Sequence, residues 1–268
     1  MNEQQLSLHI FKNLRERRQH LRALRKDKLP LDDGAPAPVD PDPGRKSLEG
    51  FHAFAWPHLI RSHAQVFQDL WVLYELGMPE TGYFVEFGAA NGTTMSNSFM
   101  LERHLGWEGI LSEPFPEFHD RIRAARKCHF TDKAVYSETG RVLEFSGATR
   151  PMFSRLEAPG TEETAVHDIE VKTSFPVETI TLNDLLDSFD APAVIDYISV
   201  DTEGTELDIL RAFDFGPRRV RAFTIEHNYT PMREEIAAIL APQGYVRRFP
   251  GLSRFDDWYL HESELGAG

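Results

Sequence analysis

The chain has 268 residues, 41% of them hydrophobic and 26% charged, which is long enough for a full core and too apolar for a wholly disordered protein. A formal net charge of −13 repels phosphate backbones and argues against nucleic acid as a partner. The lone cysteine, Cys128, excludes an internal disulfide and a thiolate zinc cluster. No run approaches the roughly 20 apolar residues of a membrane span and no secretory leader is recognisable, so a cytoplasmic protein without a transmembrane segment is expected.

Residues 1–28 set Leu6, Ile10, Leu14, Leu21 and Leu24 at near-helical spacing among eight basic side chains, from Lys12 to Lys28. This predicts a basic amphipathic helix that docks on the chain's own acidic body or on a second copy, the latter giving a homo-oligomer. A membrane surface or an acidic partner is the alternative. Residues 29–49, with Pro30, Pro36, Pro38, Pro41 and Pro43, read as a linker, and 50–268 as the main domain.

Within that domain the apolar period predicts a helix over 64–76, stopped by Gly77 and Pro79. A strand over 83–87 then breaks into a glycine turn and a helix over 93–105. The rhythm continues with a strand over 109–112, a helix over 116–125 and a strand over 128–135. Strands over 141–146 and 175–180 flank a polar insertion, 147–174, which could form a lid. Helices over 181–189, 205–213 and 232–240 alternate with strands over 195–200 and 220–225, and a strand pair over 245–249 and 257–260 closes the chain. Such alternation predicts an α/β, Rossmann-like domain: a mostly parallel seven-stranded sheet, helices on both faces, and an antiparallel terminal pair.

In open α/β sheets the ligand lies beyond the carboxyl ends of the strands, and the first strand-to-helix turn approaches it closely. The segment FVEFGAANG, Phe84 to Gly92, fits that turn, because Gly88 and Gly92 remove obstructing Cβ atoms. Glu113 ends the next strand about twenty residues on, where a carboxylate can accept hydrogen bonds from both hydroxyls of a ribose. The turn lacks the three-glycine spacing suited to a pyrophosphate, which favours a cofactor without one. Ser96 and Asn97 follow the turn and are further candidates to touch cofactor or acceptor.

Four ordered stretches carry a resemblance: FVEFGAANGTTMSNSFMLERHLGWEGILSEP, TLNDLL, IDYISVDTEGTELDILRAF and FTIEHN. Across about residues 84–260 the chain resembles the FkbM family of S-adenosylmethionine-dependent methyltransferases. The resemblance implies a class I methyltransferase sheet, with Gly88, Asn91 and Gly92 around the methionine part of S-adenosylmethionine and Glu113 on its ribose. It also places the strand end from Asp132 to Val135, with Asp132 and Ala134 as candidates, beside the adenine. Two departures stand out: Glu86 where many members have aspartate, and Ala90, which interrupts a commoner glycine-alanine-asparagine spelling. Glu86, Ser96 and Asp201 complete the candidate cofactor set.

Asp201 and Glu203 follow the strand over 195–200, and Glu226 and His227 follow the strand over 220–225, so parallel strands bring all four toward the methyl donor. Methyl transfer to a hydroxyl requires the acceptor to be held close and its proton removed. His227 is the candidate general base, titrating near neutrality, with Asp201 and Glu203 beside it. Alternatively Asp201, Glu226 and His227 bind a divalent cation, Mg2+ or Mn2+, that lowers the hydroxyl pKa. The bland alternative makes Asp201 and Glu203 caps of the following helix. Family habit implies O-methylation of a hydroxyl on a sugar or glycan, such as a surface polysaccharide. The competing readings are a non-catalytic binding module of this fold and a nicotinamide-dependent oxidoreductase.

Overall fold

The computed structural model describes residues 2–26, 46–159 and 170–265. The predicted linker over 29–49 and the insertion over 147–174 therefore fall partly outside the described residues. Among the described residues, no helix is long and apolar enough to cross a membrane.

In chain order the helices are α1 (Glu3–Lys26), α2 (Leu48–Ala55), α3 (Gln68–Leu76), α4 (Phe99–Leu105), α5 (Pro116–Ala125), α6 (Leu182–Ser188), α7 (Glu206–Ala212) and α8 (Met232–Leu240). The strands of the large sheet are β1 (Tyr83–Phe87), β2 (Glu108–Ser112), β3 (His129–Thr131), β8 (Val194–Val200), β9 (Arg219–Glu226), β10 (Tyr245–Arg248) and β11 (Asp256–His261). Their order is β10-β11-β9-β8-β1-β2-β3. Pairing is parallel from β3 through β9, and β11 inserts antiparallel between β9 and β10. This is the predicted seven-stranded architecture, with strand order reversing between β1 and β8, where a doubly wound sheet opens a crevice for its ligand.

Strand alternation builds two cores. Phe84, Leu111, Tyr197, Ala222 and Trp258 face α1–α5, while Val85, Phe87, Ile110, Ile198, Phe223 and Tyr259 face α6–α8. Trp107, Trp258 and Tyr259 all pack in these cores at 2% exposure or less. The apolar face of α1 is taken up by the chain's own body: Ile10, Leu14 and Leu21 are buried in the first core. An oligomer built on α1 would use its outer, basic face.

Three expectations need correction, each for a local reason. The helix predicted from residue 93 begins at Phe99, because the Asn91 side chain accepts from the N–H groups of Thr93 and Thr94. The Glu86 carboxylate then draws in those of Asn97 and Ser98. The helix predicted from residue 64 begins at Gln68, preceded by Phe67 in the left-handed region (φ 70°). The strand predicted over 128–135 is two strands in two sheets. After β3 the chain leaves the large sheet, and β4 (Ala134–Val135) pairs with β7 (Val171–Ile180). With β5 (Val142–Ala148) and β6 (Arg155–Glu157) these form a second sheet, ordered β4-β7-β5-β6.

Candidate functional site

A cavity of about 320 Å³ opens beyond the carboxyl ends of β1, β2, β8 and β9, a volume suited to a small-molecule ligand. At the β1–β2 end its wall is Gly88, Ala89, Ala90, Glu113, Pro114, Ala134 and Val135. At the β8–β9 end it is Asp201, Glu203, Glu226 and Asn228, with Gln65, Met95 and Phe255. Phe145, Pro151, Met152, Phe153, Ser154 and Leu156 of the small sheet and its loops complete the wall as a roof. The described part of the insertion therefore borders the cavity.

The turn after β1 is built by backbone conformation. Gly88 has φ 78°, and a Cβ there would lie 1.6 Å from the Asp201 carbonyl oxygen, so only glycine lets β1 and β8 close at this point. Ala90, one of the two departures noted above, has φ 46°. A residue with a Cβ is disfavoured there by about 1–2 kcal/mol. The Ala90 N–H, however, donates to Glu113 Oε2 at 2.7 Å. Glu113 Oε1 accepts from the Phe115 N–H at 2.9 Å, so each carboxylate oxygen has one backbone donor and keeps a lone pair for a ligand hydroxyl.

Burial pushes the Glu113 carboxyl up to about 8, against these two N–H donors and with help from the charges of Asp201 and Glu86. A ligand donating two hydroxyls favours the ionised form. Affinity for S-adenosylhomocysteine should therefore rise as pH increases from 6 to 8.5, by up to nearly a hundredfold where only the ionised carboxylate binds. Calorimetry on wild type and Glu113→Gln checks this: the variant should bind weakly with a flat profile, and a flat wild-type profile would remove Glu113 from the ribose.

Several predicted cofactor residues lie beneath the turn rather than in the cavity. Glu86 is buried at 3% exposure and accepts from Ser96 Oγ, Asn97 N and Ser98 N at 2.8, 2.7 and 3.2 Å. Arg126 lies over it, donating to the Gly92 carbonyl, Ser96 Oγ and Ser98 Oγ and pairing with Glu102 and Glu86. This buried cluster shapes the segment that replaces the first turns of the expected helix. Asn91 acts as a turn former, and Gly92 (φ 72°) packs on Ile122 and Arg126. Asp132 is exposed and off the wall, whereas Ala134 is on it.

The reacting end gathers carboxylates. One oxygen each of Asp201, Glu203 and Glu226 lies within 4.8 Å of the others. Burial and mutual repulsion push Asp201 up to about 7, with Glu206 as its largest neighbouring charge. Burial pushes Glu203 to about 9, with Asp201 and Glu206 raising it further and Arg155 opposing. Glu226 is raised well above the carboxylate range by burial and then by Asp201 and Glu203. Glu226 is 7% exposed, and its Oε2 is buried without a hydrogen-bond partner. Glu203 is held in the left-handed region (φ 59°), a strain that non-glycine residues keep mainly at functional sites. Glu206, not predicted, organises this loop by accepting from the N–H groups of Thr202 and Gly204. The helix that follows has Thr205 as its N-cap with no side-chain cap hydrogen bond, so Asp201 and Glu203 do not take the capping role of the bland alternative.

His227 is not brought to this cluster. It is 1% exposed, its Nδ1 accepts from the Tyr229 N–H at 2.9 Å, and its Nε2 lies 3.7 Å from Asp257. Asp257 is itself paired with Arg233 and Arg247. The ring faces away from the cavity, and burial lowers its pKa. Among the described residues the acidic group that could hold a cation is Asp201, Glu203 and Glu226, with Glu203 in the place expected for His227.

A doubly wound sheet with an antiparallel seventh strand, a glycine turn closed on β8 and a carboxylate at the end of β2 together define the class I methyltransferases that bind S-adenosylmethionine. Residues 86–249 match the family model described as Methyltransferase FkbM domain, more than half of the chain, and the protein belongs to that family of S-adenosylmethionine-dependent methyltransferases. The nicotinamide-dependent reading is thereby excluded. Similar solved structures include precorrin-6y C5,15-methyltransferase from Geobacter metallireducens GS-15, 13% identical over 67% of this chain and 72% of that one, TM-score 0.38. The delta-N METTL16 MTase domain is 14% identical over 93% of this chain and 96% of that one, TM-score 0.37. At such scores these likenesses are loose, and membership rests on the sequence match. No match was found among curated proteins.

Proposed function

We propose that this methyltransferase methylates a hydroxyl of a sugar or glycan presented at the β8–β9 end of the cavity, with a divalent cation, Mg2+ or Mn2+, held by Asp201, Glu203 and Glu226. The observation that carries this reading is the buried, unpartnered Oε2 of Glu226 within a cluster of three carboxylates. A buried anion persists when it is paired or coordinates a metal. All-oxygen ligand sets are those that Mg2+ and Mn2+ prefer.

The chain fits the methyl donor in the same terms: Gly88, which closes β1 on β8, lines its seat, Glu113 accepts its ribose hydroxyls, and Ala134 and Val135 supply an apolar edge for the adenine. When bound, S-adenosylmethionine supplies an electrophilic methyl group and a cation supplies Lewis-acid polarisation of the acceptor hydroxyl. The protein's own part is positioning and proton handling. Asp201, Glu203 and Glu226 anchor the acceptor end, this acidic group receives the hydroxyl proton, and the roof from Pro151 to Leu156 keeps water from competing.

The test is methyl transfer from S-adenosylmethionine to a panel of methyl glycosides and oligosaccharides, with and without a chelator. Product on a sugar hydroxyl, falling at least about tenfold on chelation and returning with Mn2+ or Mg2+, is expected. Full activity in chelator would overturn the cation, and methylation only of amine or thiol acceptors would overturn the hydroxyl.

A further inference from the structure

We propose that Arg18, on the N-terminal helix, is a positioning residue that braces the acceptor-side wall of the cavity through the loop over residues 62–66. This rests on the reading of the β8–β9 end as the acceptor side. Arg18 Nη1 donates to the Ala64 carbonyl at 2.6 Å and Nη2 to the Gln65 carbonyl at 3.1 Å. Its guanidinium lies 4.3 Å from the Phe67 ring centroid, a geometry that suits a planar cation. One turn on, Arg22 donates to the Ser62 carbonyl at 3.1 Å.

The opposite edge of the same loop is held by Asp69, which accepts from the N–H groups of His63 and Ala64. The loop is therefore clamped between a carboxylate on its amide edge and a guanidinium on its carbonyl edge. The clamp is passed on to the cavity. Gln65 lines it, Ala64 forms a parallel bridge with Met95, and the His63 ring donates to the Thr93 carbonyl at 2.8 Å. Thr94 and Met95 line the cavity as well, and Met95 is held at φ 63°. Neither segment lies in a helix or in a sheet ladder, so side-chain bonds set their positions. The cofactor end, Gly88, Glu113 and Ala134, belongs to other elements and, among the described residues, has no such tie to α1.

Hydrogen exchange on the full chain tests this without an acceptor, so a failed sugar screen leaves it standing and its own failure leaves the sugar reading standing. Arg18→Ala should speed amide exchange by about tenfold or more in 62–67 and 92–97, with β1 and β8 unchanged and S-adenosylhomocysteine affinity within about threefold of wild type. Arg18→Lys, which keeps the charge but not the forked donors, should restore exchange partway, and Arg15→Ala on the exposed face of α1 should change nothing. Unchanged exchange in 92–97, faster exchange in β1 and β8 alike, or no rescue by lysine would overturn the proposal.

Discussion

Gly88→Ala is expected to abolish S-adenosylhomocysteine binding and to lower the unfolding free energy by about 3 kcal/mol or more. Two costs combine. The residue sits at φ 78°, and its new Cβ would fall 1.6 Å from the carbonyl oxygen of Asp201. That neighbour is backbone at the end of β8, so it cannot turn aside as a flexible side chain would. Either β1 and β8 part, losing the pairing of Phe87 with Val200, or the turn flips and takes the Ala90 N–H away from Glu113. Thermal unfolding measures the first cost and calorimetry the second. Binding within about threefold of wild type would mean that the turn is not the cofactor's seat.

The second large effect is on chemistry. Asp201→Asn should cut methyl transfer by about 10²- to 10⁴-fold and remove Mn2+ binding, while S-adenosylhomocysteine still binds. Stability should move the other way. In chelator at pH 8 the variant should melt above wild type, because a neutral amide removes a buried charge and its repulsion with Glu206. Electron paramagnetic resonance of Mn2+, a radiolabel transfer assay and a melting curve separate the three readouts. Retained activity together with lost Mn2+ binding would show that the cation is dispensable.

The large sheet was legible in the sequence because it depends on local periodicity, and the same alternation put Gly88 and Glu113 at strand ends; Ala134, the first residue of β4, was reached only through the family resemblance. Glu86 was misplaced for a reason the sequence contained: it shares a face of β1 with Phe84, two residues back, so it points into the helix layer and not at the turn. The same alternation separates Glu226 from His227, since neighbours at a strand end point to opposite sides. A ligand set that used both was at odds with the strand that carried them. What periodicity could not reveal came from distant segments. Gln65, Met95, Phe255 and the roof reach the cavity through loops, and Arg126 joins the β1 turn from the end of α5, with nothing in its neighbours' pattern to announce it.

The departure of the chain from the large sheet after β3 makes the roof a removable cassette. The described residues of 136–180 contain no strand of the seven-stranded sheet, and the Tyr136 N–H to Ile180 carbonyl hydrogen bond pins the two ends of that stretch together. Its seam with the main body is an aromatic one, where Phe115 meets Phe145 and Phe175 at ring-centroid distances of 6.2 and 6.0 Å. A graft cut at Tyr136 and Ile180 that keeps rings at those two places, and whose last strand still pairs with Ala134 and Val135 of β4, would exchange the roof of the cavity. In such a fold, new acceptors can be explored by replacing one contiguous piece of chain.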